Sequence, residues 1–229
     1  GTGMNIWNPA LIARAFVFFA YPSQISGDTI WVAGLNSAKE KAMTVVDGFS
    51  GATPLGQAAN GAVEFTTTTG DPLNFMQMFI GNMPGSVGET STIAILLGAV
   101  LLIWTGVASW KIMVSAVAGA LAVGYLVNGL ADPGTYAAVP AYYHLVLGGF
   151  AFGAVFMATD PVTSAQTETG KWIYGFLVGA LAVIIRLFNP GYPEGMMLAI
   201  LLMNTFAPLI DFYVVESNIK KRIKRSITK

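Results

Sequence analysis

The feature that most limits what this chain can fold into is a succession of apolar runs, each close to 20 residues and almost free of charge. A helix of about 20 such residues is what it takes to cross the hydrocarbon core of a bilayer. Five runs fill the last two-thirds of the sequence: residues 90–110, 112–130, 142–159, 172–188 and 195–215. Lys111 alone separates the first two, which predicts a tight hairpin, and Asp132-Pro133-Gly134, Asp160-Pro161 and Asn189-Pro190 punctuate the rest. Composition agrees: 54% hydrophobic against 10% charged leaves too few polar residues to coat a water-facing surface. The predicted fold class is an all-α polytopic membrane protein with about five transmembrane helices. Glycines inside the runs, among them Gly119, Gly124, Gly175 and Gly179, favour close helix packing in lipid.

The first third reads differently. A short apolar segment at 9–21 is interrupted by Arg14, and a weaker one follows at 29–35; neither spans unaided, so residues 1–35 predict a broken or partly inserted helix. Residues 36–88 have the composition of a loop region, 89–216 that of the helical bundle, and 217–229 form a basic tail. Lys220, Lys221, Arg222, Lys224 and Arg225 place the C-terminus in the cytoplasm by the positive-inside rule. Counting helices back puts Lys111 and Lys171 inside and the 36–88 loop outside. Arg186 then falls near the outer end of the fourth run, where it would snorkel or pair with Asp132 or Glu194. The chain opens at Gly1 without Met, which reads as a piece of something longer.

Charge and cysteine exclude several functions. Lys and Arg number 12 and Asp and Glu 12, so there is no excess of cations for nucleic acid. With no cysteine, the chain has no disulfide and no thiolate for an iron–sulfur cluster, and redox chemistry here needs an organic cofactor. His144, the single histidine, gives a metal site nothing to build on.

Within the outer loop lies Asp47-Gly48-Phe49-Ser50-Gly51-Ala52-Thr53-Pro54-Leu55. Small neighbours leave Thr53 sterically open, and Pro54 biases it to an extended conformation. The plain structural reading is a turn whose hydroxyls bond local backbone. The stretch also resembles a flavinylation signature, Asp-x-x-Ser/Thr-Gly-Ala-Ser/Thr. Gly1-Thr-Gly-Met-Asn-Ile-Trp-Asn-Pro-Ala, Pro84-Gly-Ser-Val-Gly-Glu-Thr-Ser, Met157-Ala-Thr-Asp-Pro-Val-Thr-Ser-Ala-Gln and Tyr192-Pro-Glu-Gly-Met-Met extend the likeness. Together they resemble the C-terminal half of the NqrB family, the B subunits of the Na+-translocating NADH:quinone oxidoreductases, with the D subunit of the Rnf complex as a relative.

That resemblance implies a component of a bacterial inner-membrane pump that passes electrons from NADH to ubiquinone while exporting Na+. It implies FMN joined through its phosphate to Thr53 by a flavin transferase, with Ser50, Gly51 and Ala52 serving approach and recognition. It implies a non-covalent riboflavin, for which Asn5 and Asn8 are candidate hydrogen-bonding residues; the alternative for Asn8-Pro9 is a helix N-cap followed by proline. It places acids that affect Na+ uptake at Asp160 and Asp211, on the cytoplasmic side, where carboxylates suit a hard cation. Asp160 could instead cap the segment after it. The family fold resembles one half of a urea-transporter-like inverted repeat. NADH oxidation and iron–sulfur steps fall to partner subunits, since this chain has neither cysteine nor a Rossmann glycine pattern. A channel or secondary transporter with broken helices, and a cofactor-free scaffold, are the rival readings.

Overall fold

A computed structural model describes residues 5–21, 30–31, 50–51, 53–67, 70–86, 88–132, 134–189 and 194–227. Among the described residues the architecture is all-helical apart from one two-residue ladder, in which β1 (Ile30–Trp31) pairs antiparallel with β2 (Ser50–Gly51), and an isolated bridge between Thr66 and Pro72. Most of the 29–35 segment, Ala52 and residues 47–49 of the flavinylation-like stretch lie outside the described residues.

Among the described residues three helices are long and apolar enough to cross a membrane: α5 (Trp110–Asn128), α8 (Glu168–Phe188) and α9 (Met196–Ile227). They match the second, fourth and fifth predicted runs. In chain order they are joined by α1 (Pro9–Ala20), α2 (Pro54–Ala59), α3 (Phe75–Ile80), α4 (Thr92–Trp104), α6 (Tyr143–Val146) and α7 (Phe150–Phe152). The most extensive packing is between α5 and α8. Small residues make it possible: a Cβ at Gly179 would fall on the Ala116 carbonyl, one at Gly119 on the Phe176 carbonyl, and one at Gly175 on the Ser115 hydroxyl. Backbone thus meets backbone, the arrangement that dispersion favours between helices in lipid. Trp110 and Trp172 meet edge to face with centroids 5.7 Å apart, beside Lys111 and Lys171, which both pair with Glu168. An aromatic and basic belt of this kind belongs at a membrane–water interface.

Two predicted spans are corrected. The first run forms only α4, 13 residues and roughly 20 Å long at 1.5 Å per residue, too short to span. It ends where the Thr105 hydroxyl turns back to the Leu101 carbonyl (2.9 Å) and Gly106 adopts φ +72°. The third run is broken into α6, α7 and a π-helical turn at Gly153–Met157, with Gly148 at φ +56°. The basic residues at the start of the 217–229 tail are helical, since α9 continues to Ile227.

The break in the third run exposes carbonyls that a continuous helix would satisfy, and Arg186 supplies the missing donors. Its guanidinium donates to the carbonyls of His144 (2.8 Å), Leu147 (2.8 Å) and Glu194 (3.1 Å). At 2% exposure it does not snorkel, and it meets Glu194 through the backbone, while the Glu194 carboxylate pairs with Arg14 at 2.6 Å. Irregular backbone at membrane depth is tolerated only where protein re-satisfies it in this way.

Candidate functional site

Thr53 is the N-cap of α2. Its Oγ1 accepts the Gly56 N–H at 3.0 Å, and Pro54 occupies the first helical position. The expectation that Thr53 stands sterically open is not met. It is 8% exposed, because α2 seats Leu55 and Ala58 in a cluster with Phe65, Leu73, Met78, Val139, Val146 and Leu147. Leu55 reaches the Gly148 turn, within contact of Arg186, so the motif lies against the break in the third run. Ser50 and Gly51 precede it on β2, and α2 follows it. In the same neighbourhood Tyr136 Oη and His144 Nδ1 are buried without a hydrogen-bond partner, their rings 5.7 Å apart.

Glu89, the acid ahead of α4, packs by Gly149 opposite Glu194. Burial raises its carboxyl above the usual 4.5, the Ser86 N–H works against that, and the Glu194 charge adds to it.

The other acids gather at the opposite end of α8. Asp211 on α9 accepts the Gln166 N–H (2.7 Å), the Thr167 N–H (2.9 Å) and the Thr167 hydroxyl (2.5 Å). It therefore ties α9 to the residues that start α8. Asp160 accepts the Val162 N–H (3.1 Å) and the Thr163 hydroxyl (2.8 Å), which is the capping role its sequence allows. It also accepts from the Asn8 amide at 3.3 Å, bringing together two candidates 152 positions apart.

Asn8 is an N-cap as well, its Oδ1 accepting from Ala10 (3.0 Å) and Leu11 (3.3 Å). In the amide orientation that satisfies its neighbours, Asn204 donates to Tyr174 Oη (2.7 Å) and accepts the Asn8 N–H (3.2 Å). Asn204 is seven residues before Asp211, about 10 Å along α9, and Asn8 links it to Asp160. Tyr174 and Asn204, both buried, do not stand out in the sequence; a tyrosine and an asparagine inside apolar runs are the only signal there. Asn5 is exposed and separate, lining an open groove with Trp7, Pro9 and Phe16. A cleft of about 420 Å³ opens between the α4–α5 turn and the 161–168 segment, walled by Thr159, Ser164, Gln166 and Lys171.

Thr53 and Asp211 thus occupy opposite ends of α8, Arg186 marking one and Glu168 the other, about 27 Å apart along the helix. Among the described residues no group of three His, Cys, Asp or Glu is placed to hold a metal ion.

A family model described as the NQR2, RnfD, RnfE family matches residues 1–220. The chain belongs to this family. Among members, it is 52% identical over 228 residues to the B subunit of the Na(+)-translocating NADH-quinone reductase of Klebsiella pneumoniae (strain 342), covering 98% of this chain and 52% of that one. It is 51% identical over 227 residues to the protein of the same name from Pseudomonas paraeruginosa (strain DSM 24068 / PA7), covering 99% and 53%. The chain spans about half the length of the curated relatives it matches. As a member of the NQR2, RnfD, RnfE family with three apolar spans, it is a membrane protein.

Proposed function

We propose that this chain is the flavin-carrying membrane part of a redox-driven sodium pump in a bacterial inner membrane, passing electrons from NADH toward ubiquinone and coupling them to Na+ export. The carrying observation is family membership across nearly the whole chain, together with the Ser50 to Leu55 stretch that ends in the Thr53 cap. Thr53 holds FMN as a phosphoester, and the flavin supplies a carrier that accepts and releases electrons singly or in pairs. The ester oxygen left on Thr53 keeps the lone pair that the Gly56 N–H uses. The hydroxyl is nearly buried, and the approach of the transferase is through the stretch that leads into α2. Ser50, Gly51 and Ala52 provide that access.

Na+ enters at the end of α8 that carries Asp211, through the cleft beside Gln166, and Asp160 receives it. Both carboxylates are held by neutral N–H and O–H donors, so their charge stays available to a cation. That end faces the cytoplasm, with Lys111, Lys171 and the basic end of α9, and the Thr53 end faces outward. A non-covalent riboflavin near Asn5 and Asn8 belongs to the same reading, as do partner subunits for NADH oxidation.

The broken third run favours one rival, a channel or transporter without cofactor. Intact mass of the chain co-expressed with a flavin transferase decides between them. The expected result is a gain of FMN less one water, absent in Thr53→Val. An unmodified chain, in cells whose transferase modifies another substrate, refutes the flavin reading.

A further inference from the structure

Helix α9 runs 32 residues, about 48 Å, against a hydrocarbon core of about 30 Å. Its excess emerges at the Asp211 end of the bundle, where every residue from 217 to 227 is exposed. The exposed stretch is two-faced. At 100° per residue, Val215, Ile219 and Ile223 share one stripe with Ile227 at its edge, and the three isoleucines are 50%, 53% and 79% exposed. Lys221, Lys224 and Arg225 occupy the opposite side, and Lys220 and Arg222 lie on the stripe's two flanks. Along the stretch Glu216 is the one acid, paired with Lys220 at 2.7 Å.

A basic amphipathic helix of this kind can lie on an anionic membrane or dock on a protein. Lying flat requires a sharp turn where the helix leaves the bilayer. The one proline within α9 is Pro208, before Asp211, and the helix is unbroken from there to Ile227. The extension therefore continues along the helix axis, and Ile223 and Ile227 lie about 40 and 46 Å from Met196, well past a core of about 30 Å.

We infer that the C-terminal extension of α9 is a docking rail for an acidic, apolar-ridged surface on another subunit of the same membrane complex. Isoleucines 219 and 223 fill the ridge, and the flanking bases set register and orientation through charge complementarity. The inference rests on the proposed multi-subunit assembly, though not on the flavin.

The test uses the full-length chain in the complex purified from its native host, with a photoreactive benzophenone side chain at Ile223. Irradiation is expected to join this chain to a stretch of a second subunit rich in Asp and Glu. Changing Lys221→Gln, Lys224→Gln and Arg225→Gln together, with Lys220 and Arg222 kept to hold topology, should cut that adduct roughly tenfold at physiological salt. Adducts carrying phospholipid alone, no adduct at all, or a protein adduct untouched by removing the three charges would each overturn the inference. The flavin mass of the same samples is read separately, so flavin present with no protein adduct sinks the docking rail alone.

Discussion

Replacing Asp211 separates its structural role from any role toward Na+. In the structure its carboxylate takes three hydrogen bonds from the residues that open α8, two of them partly buried. A bond to a charged acceptor is worth about 1.5 to 3 kcal/mol when shielded and less when exposed, so Asp211→Ala should lose about 3 to 4 kcal/mol. For 150 to 250 residues each kcal/mol moves Tm by about 2 to 4 °C, which predicts a fall of about 6 to 16 °C. Asp211→Asn keeps one oxygen for the Thr167 donors but turns an NH2 toward the Gln166 N–H. Its loss should be about 1 to 2 kcal/mol, a fall of about 2 to 8 °C. Thermal unfolding followed by tryptophan fluorescence, with and without Na+, measures both. Because the lost bonds are to the chain itself, the ordering native, Asn, Ala must hold in Na+-free buffer. Equal Tm for native and Ala variants there would refute the argument that Asp211 anchors α8.

Two further predictions concern packing and pH. Gly179→Val drives a side chain into the Ala116 carbonyl, where overpacking costs about 1 to 3 kcal/mol or more, whereas Gly129→Ala meets nothing closer than 3.6 Å. Size-exclusion yield in detergent should collapse for the first and hold for the second; equal yields would contradict the close α5–α8 crossing. Glu89→Gln should raise stability at neutral pH: with the folded carboxyl held above 4.5, its stabilising share is full below 4.5 and lost as pH rises through the folded value. The Tm difference between variant and native should be near zero at pH 4 and grow with pH, and a difference flat across pH would count against burial as the cause.

Much of the fold was legible in the sequence because hydrophobic length is a local, additive property. The runs that became α5, α8 and α9 each carry enough apolar residues to dissolve in lipid whatever surrounds them. The Asn8-Pro9 pair likewise announced a helix start, since a cap is settled within four residues, whereas Thr53-Pro54, read as a turn, proves to cap α2. The burial of Thr53 was not legible, because its neighbours Leu55 and Ala58 on α2 pack with residues as far along the chain as Leu147.

What the sequence could not decide was whether an apolar run stays whole. Residues 142–159 have the composition of a span, and they break because Arg186, 39 positions from Leu147, satisfies the carbonyls the break releases. The meeting of Asn8 with Asp160 and the three bonds to Asp211 have the same origin. Propensity and hydropathy fix which segments leave water. Only the packed bundle fixes which buried polar groups find partners, because each partner is supplied by a different element.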